Sequence, residues 1–302
     1  MEPNPWLERR VLAFAHQGGA REGPSSTLWA MRRALAAGAS ALELDVHATS
    51  DGELVVCHDA TVDRTTEGQG AIAELTLAQV QGLDNAYRFV PGEVTATGRP
   101  EGDYVLRGSA PDDPELRIPT LREVLTEFPA VPINLDIKQT APEVAPYEDA
   151  LARLLRDFER SADVIVASFH DGATAAFAAA APEVCTSAGT LATAGFYRAV
   201  AADDDGAAAA AVRGHVALQV PATYGTVRLV DGAFVAAAHR LGVAVHVWTI
   251  DDAAEMKELV GLGVDGIMSD VPSVLAQTLA GLGCQWTPRP SLGAAGSGGD
   301  GA

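Results

Sequence analysis

Glu43 and Asp45 stand two residues apart in the apolar run ALELDVHA. On a strand, residues two apart share a face. Two carboxylates side by side in an apolar setting repel each other unless a cation lies between them. An all-oxygen set of this kind suits a hard divalent ion, Mg2+ or Ca2+. Asp136, in VPINLDIK, offers a third carboxylate from another strand, and Lys138 shares its face. The lysine can pair with the carboxylates or meet a substrate phosphate. A buried carboxylate–lysine network without a metal uses the same residues, and the acid pair alone does not separate the two readings. His16, ending VLAFAH, and His58, in VVCHD, flank the acids. Two imidazoles beside a carboxylate cluster equip a site with a general acid and a general base for cleaving a phosphate ester. His47 follows Asp45 by an even step but lies further along the strand; His170, His215, His239 and His246 have no comparable setting.

These groups need a scaffold that brings distant strand ends together. Eight short apolar runs read as buried parallel strands: VLAFAH, ALELDVHA, VPINLDIK, DVIVASF, EVCTSAG, HVALQVP, VAVHVWTI and DGIMSD. Helical patterns alternate with them, among them STLWAMRRALAAG, YEDALARLLRDFERS, DGATAAFAAAAP, TAGFYRAVAADD, TVRLVDGAFVAAAHRLG, DDAAEMKELVGLG and SVLAQTLAGLG. Several end in Gly, as helix C-termini often do. The strand count predicts a closed (β/α)8 TIM barrel rather than an open doubly wound sheet, and no GxGxxG follows the first strand. Reactive groups of such barrels sit at the C-terminal strand ends. Those ends carry His16, Glu43 with Asp45, Asp136 with Lys138, Ser168, Gln219, Trp248 and Asp270.

Residues 53–117 interrupt the rhythm after the second strand. Asp51–Gly52 is a hairpin signal that folds ELVVCHD, with His58, back along ALELDVHA. The Gly- and Pro-rich stretch that follows is expected to be a small insertion over the barrel mouth. The expected organisation is a barrel over residues 1–285 and a disordered Gly/Ala/Ser tail over 286–302.

The 302 residues are 48% hydrophobic, enough for a large core, and carry a net charge of −19. Such a surface repels nucleic acid and anionic membranes, and no segment approaches the length of a membrane span. Three scattered cysteines, Cys57, Cys185 and Cys284, form neither a disulfide framework nor a zinc motif. The N-terminal apolar run is too short for a secretory signal, so a cytoplasmic protein is expected.

The segments HQGGAREGPSST, ALELDVHATSDGELVVCHD, DRTTEGQG, INLDIK, SFHDG, VHVWTID and GVDGIMSD, in that order, resemble the glycerophosphodiester phosphodiesterase family. The resemblance spans roughly residues 11–283. It implies a (β/α)8 barrel that hydrolyses glycerophosphodiesters to glycerol 3-phosphate and an alcohol with a divalent cation. Carried over by position, it implies His16 and His58 as the acid/base pair and Glu43, Asp45 and Asp136 as metal ligands. It places Gln17 and Lys138 at the substrate, with Trp248 as a wall beside the glycerol or alcohol group.

Three positions depart from the family pattern. Asp136 stands where a glutamate is usual, a shorter carboxylate that must reach further or bind through water. Gln17 stands where an arginine usually holds the phosphate, and Ser25 where a glutamate is usual. One cation and one anion leave together, so the net charge of the site is kept. Arg21, Glu22, Arg64 and Arg107 are the nearby candidates to replace them. Because both histidines and all three carboxylates remain, an active enzyme is expected. The alternatives are a lysophospholipase D-type enzyme, its acyl pocket formed by the insertion, and a non-catalytic phosphate-ester binding protein. An unrelated metal-dependent aldolase or lyase lacks a suitable Schiff-base lysine, since carboxylates around Lys138 raise its pKa.

Overall fold

The apolar runs become strands that pair edge to edge in a computed structural model, which describes residues 4–94 and 96–287. In chain order they are β1 (Leu12–His16), β2 (Ala41–Ala48), β3 (Leu54–Val56), β4 (Ile133–Ile137), β5 (Val164–Ala167), β6 (Cys185–Ala188), β7 (Ala217–Pro221), β8 (Thr223–Tyr224), β9 (Val227–Arg228), β10 (Ala244–Trp248) and β11 (Gly266–Ser269). Among the described residues β1, β2, β4, β5, β6, β7, β10 and β11 neighbour one another in that order, all parallel, and β11 pairs back onto β1. With helices in the crossovers, this is the expected (β/α)8 barrel. β3 pairs antiparallel with β2, Val56 opposite Val46, as the Asp51–Gly52 turn predicts.

Alternation along the strands divides two environments. Leu42, Leu44 and Val46 of β2 point outward and pack with helix residues such as Leu121, Leu125 and Leu151. The alternate residues face the barrel interior. At its floor Leu12, Phe14, Ala41, Ile165, Ala217, Ala244 and Met268 pack with Trp6, from the short N-terminal helix Pro5–Glu8. That helix is tied on by Asn4, whose side-chain amide donates to the Val216 and Gly242 carbonyls. Above the floor, the Gln219 amide donates to Asn134 Oδ1 at 2.9 Å and lies 3.2 Å from His246 Nδ1. Above that, at the C-terminal strand ends, the interior becomes charged.

His246 has a measurable consequence. It is fully buried against Trp6 and Phe14, and burial pushes its pKa down to about 3. The unfolded chain takes up a proton below the ordinary histidine range, about 6.5, while the folded chain refuses it. This contribution to stability is therefore intact above about pH 6.5 and is lost as the pH falls toward 3, by up to about 1.4 kcal/mol per pH unit. Urea unfolding of wild type and His246→Gln across pH 6.5–4 is expected to show a shallower acid loss in the variant, by up to one proton. Equal slopes would assign the acid lability to other groups.

One sequence expectation changes. The helix expected over residues 226–242 runs Gly232–Arg240, capped by the Asp231 side chain, and the start of that range supplies β9 of the β8–β9 hairpin. Gly225, at φ +58°, makes the turn. The insertion spans residues 53–117. Its residues pack on one another around Val62, Ile72 and Val80, and against the turn after β1, where Asn85 Nδ2 donates to the Ser25 carbonyl. Near the C-terminus the Trp286 N–H donates to the Val11 carbonyl. The remainder of the expected tail, residues 288–302, lies outside the described residues.

Candidate active site

β1 delivers His16 into a turn in which Gln17, Gly18 and Gly19 all have positive φ, at 52°, 77° and 95°. A Cβ on Gly19 would lie 2.8 Å from Pro272, so glycine is required there for space as well as for conformation. Gln17 has no such freedom, and its conformation costs about 1–2 kcal/mol. Part of that cost is offset by its backbone N–H, which donates to Glu43 Oε2 at 3.2 Å. Strand register sets the rest: His16 of β1 is opposite Glu43 of β2, and Asp45 of β2 is opposite Asp136 of β4. His16 Nε2 is 3.8 Å from Glu43 Oε2. Its Nδ1 lies 2.7 Å from Asp270 Oδ1, just beyond β11, and must donate, because a carboxylate only accepts.

His58 is held in the same way. Its Nδ1 donates to Asp59 Oδ1 at 2.6 Å, and Asp59 Oδ2 accepts from Arg64 Nε at 2.7 Å. The two imidazole centroids are 6.2 Å apart. Each ring is thus fixed through Nδ1 by a carboxylate, leaving Nε2 as the exchangeable atom. Burial works against a charge on His16, but Glu43, Asp270 and Asp45 outweigh it and push its pKa up to about 9. Burial would raise Asp59 too, but hydrogen bonds from His58 and Arg64 hold it well below the usual carboxylate range.

The carboxylates and Lys138 form the floor of the site. The Lys138 ammonium is 3.1 Å from Asp45 Oδ1 and 3.6 Å from Asp136 Oδ2. Burial opposes its charge, yet Asp45, Asp136 and Glu43 together hold it above the ordinary lysine range, the wrong direction for a Schiff-base amine. Burial, reinforced by Asp45, pushes Glu43 up to about 7. Burial likewise pushes Asp136 up to about 8, against the pull of Lys138. Among the described residues no three His, Cys, Asp or Glu side chains converge as a ready ligand set, and Lys138 takes part of the space between the acids. Even so, Asp45 Oδ2 and Asp136 Oδ1 are buried with no hydrogen-bond partner. Two such oxygens are costly to bury and are donors suited to a hard cation, so the residues present fit the group.

Two of the three unusual positions are in contact. Ser25 Oγ donates to Gln17 Oε1 at 2.7 Å, and Arg64 Nη2 approaches the same oxygen at 3.3 Å. Of the four replacement candidates only Arg64 reaches this corner. Arg21 turns to Asp251, Glu22 to Ser273, and Arg107 to Glu101 and the Tyr87 carbonyl. Gln17 itself is buried, and its side-chain carbonyl oxygen accepts from both Ser25 and Arg64. Gln17→Arg alone would set a second guanidinium against Arg64, and Ser25→Glu alone an unbalanced carboxylate against the acids. The two changes together are expected to be better tolerated than their sum. Thermal unfolding of both single variants and the double should show coupling of about 0.5–3 kcal/mol; additive shifts would mean that the two contacts are energetically separate.

A cavity of about 960 Å³ opens over the acids. Its lining is split by barrel position. His16, Glu43, Asp45 and Asp136 come from β1, β2 and β4, Lys138 directly follows β4, and His58 lies beside them. Beyond β5 to β10 the lining is largely apolar and includes Phe169, Leu191, Tyr197, Tyr224, Val227 and Trp248. Trp248, the expected wall residue, packs edge-on against Phe169 with centroids 5.7 Å apart. The insertion was expected to supply any acyl pocket, yet residues 53–117 contribute only His58 to the lining. Ser168 and Gln219 also line the cavity; Ser168 Oγ donates to the Ile137 carbonyl, and Gln219 Nε2 is shared between Asn134 and His246. The holding roles of Asp59 and Asp270 were not read from the sequence. Asp59 is signalled only by adjacency to His58, and Asp270 only by its strand-end position.

A profile described as the glycerophosphoryl diester phosphodiesterase family matches residues 16–274. A glycerophosphodiester phosphodiesterase of Caldanaerobacter subterraneus subsp. tengcongensis is 30% identical over 275 residues, covering 88% of this chain and 96% of its own. Two solved structures share the fold. One is a glycerophosphoryl diester phosphodiesterase domain from Mycobacterium tuberculosis, with TM-score 0.70, 20% identity, and 89% of this chain and 98% of that one covered. The other is an Oleispira antarctica phosphodiesterase in complex with the product sn-glycerol-3-phosphate, with TM-score 0.66, 21% identity, and 91% and 99% covered.

Proposed function

The chain belongs to the glycerophosphoryl diester phosphodiesterase family, and on that premise we propose that it hydrolyses glycerophosphodiesters to glycerol 3-phosphate and an alcohol by histidine acid/base catalysis with one divalent cation. The observation that carries the proposal is the matched pair of carboxylate-held imidazoles facing each other over buried acids at the barrel mouth. Glu43, Asp45 and Asp136 would hold the ion, Mg2+ or Ca2+, whose chemistry when bound is to draw charge from the phosphoryl oxygens. One imidazole Nε2 takes the proton of the attacking hydroxyl, and the other gives a proton to the departing alcohol oxygen. Asp270 and Asp59 keep both rings turned for this exchange, and each stabilises its ring when charged. Lys138 offers its ammonium to the phosphate, and Trp248 excludes water beside the organic group. Arg64 braces the frame from behind, bonded at once to Asp59 and to Gln17.

Residues 1–285 form the catalytic unit in this reading, with 53–117 as an elaborated connection that supplies His58. The non-catalytic alternative rests on Gln17 and Ser25, and Arg64 returns a cation to that corner. A small glycerophosphodiester fits the acidic surface better than nucleic acid or an anionic membrane. Among the described residues no helix is long and apolar enough to cross a membrane. Three free thiols suit a reducing compartment, and we place the protein in the cytoplasm on that ground. Release of glycerol 3-phosphate from glycerophosphocholine, followed by coupled enzymatic oxidation, tests the activity. Release of choline phosphate and glycerol instead would mean that the other ester bond is cut.

A further inference from the structure

We infer that His47 is a positioning residue for His58: its ring ties the segment that carries that imidazole to the barrel wall. This rests on the acid/base reading of His58 above. The two imidazoles are mounted differently. His16 is the last residue of β1 and pairs with Glu43 of β2. His58 lies outside the strands, just past β3. The ladder ends at Val56 opposite Val46, and one further bond, from the Cys57 N–H to the Asp45 carbonyl at 3.0 Å, precedes the histidine. Asp59 fixes the His58 ring, but as the next residue it moves with its own segment. Arg64, which holds Asp59, comes from the same insertion and reaches the barrel through Gln17 at 3.3 Å. The segment therefore needs a tie of its own to the strand beneath the site.

His47 supplies it. The residue is on β2, on the same face as Glu43 and Asp45, and is 2% exposed. Its Nε2 lies 3.4 Å from the His58 carbonyl oxygen. A carbonyl only accepts, so Nε2 carries the ring proton and donates. Its Nδ1 is buried without a hydrogen-bond partner. An imidazole with one nitrogen unsatisfied is a costly way to fill a strand position that an aliphatic side chain could fill, so packing does not account for it. The bond to the carbonyl of His58 does. At 3.4 Å that bond is long and adds little to stability. What it supplies is placement, since a shift of about 1 Å in a reacting group can cost on the order of 10²-fold in rate.

The test compares His47→Leu, His47→Asn and His47→Gln in the full chain. The glutamine amide nitrogen stands as many bonds from Cβ as the histidine Nε2 does, whereas that of asparagine is one bond nearer and falls short of the carbonyl. For glycerophosphocholine, kcat is expected to fall about 10- to 100-fold in His47→Leu and His47→Asn, with KM within about twofold of wild type. In His47→Gln kcat should return to within about threefold of wild type. Hydrogen exchange of the Cys57 amide should quicken in the first two variants and not in the third. The comparison of Asn with Gln stands even where His47→Leu does not fold. Unchanged kcat in His47→Asn, a loss as large in His47→Gln as in His47→Asn, or a loss carried by KM would overturn the inference. Faster exchange in His47→Asn but not in His47→Gln, in a protein that turns over no substrate, would keep the tie and reject the hydrolase reading.

Discussion

His16→Ala and His58→Ala are each expected to lower turnover by about 10²–10⁴-fold while leaving the fold intact, the usual range for an acid or base. The expectation follows from how each ring is held. An imidazole merely serving the core has no need of a carboxylate on one nitrogen and a cavity before the other. Here Nδ1 of His16 is fixed at 2.7 Å by Asp270 and Nδ1 of His58 at 2.6 Å by Asp59. The variants should differ in side effects. Without His16, Asp270 loses a partner inside the barrel mouth. Without His58, Asp59 keeps Arg64 and little else moves. Steady-state turnover of glycerophosphocholine, with unchanged circular dichroism, is the check. Near-normal turnover in either variant removes that residue from the mechanism.

Chelation is expected to abolish turnover, and Glu43→Gln to mimic it. The physical reason lies in the unpartnered oxygens: Asp45 Oδ2 and Asp136 Oδ1 have no donor, and Lys138 satisfies only the other oxygen of each. A divalent ion held by Glu43, Asp45 and Asp136 would meet that need with hard oxygen donors. Titration calorimetry with MgCl2 and CaCl2 should show one site in wild type and none in Glu43→Gln. Full turnover by chelator-treated protein would mean that the Lys138 network works alone.

Sequence reasoning was strongest where local rules act. Buried parallel strands must be apolar, so eight runs stood out and the barrel followed. The spacing of Glu43 and Asp45 placed both on the interior face, as β2 has them, because strand alternation tolerates no slip. It was weakest where partners are distant. Asp270 lies 254 residues from His16, and nothing local marks the contact. β9 falls inside the expected helix because TVRLV shares its apolar spacing with the helix that follows, although Asp231 marks where that helix is capped. The apolar part of the cavity lining is hidden for a similar reason: Phe169, Leu191 and Tyr224 are single residues in three connections that only closure of the barrel brings together.

Hydrolysis of glycerophosphocholine in water enriched in the heavy oxygen isotope, followed by phosphorus NMR, tests the central claim most directly. Attack at phosphorus places one heavy oxygen in the phosphate of glycerol 3-phosphate, by direct water attack or through a cyclic phosphate that water opens. The expected result is that isotope-shifted phosphate signal in the presence of Mg2+ or Ca2+, lost in both His16→Ala and His58→Ala. Label in the choline instead of the phosphate, or no new phosphorus signal from wild type, would contradict phosphoryl hydrolysis at this site.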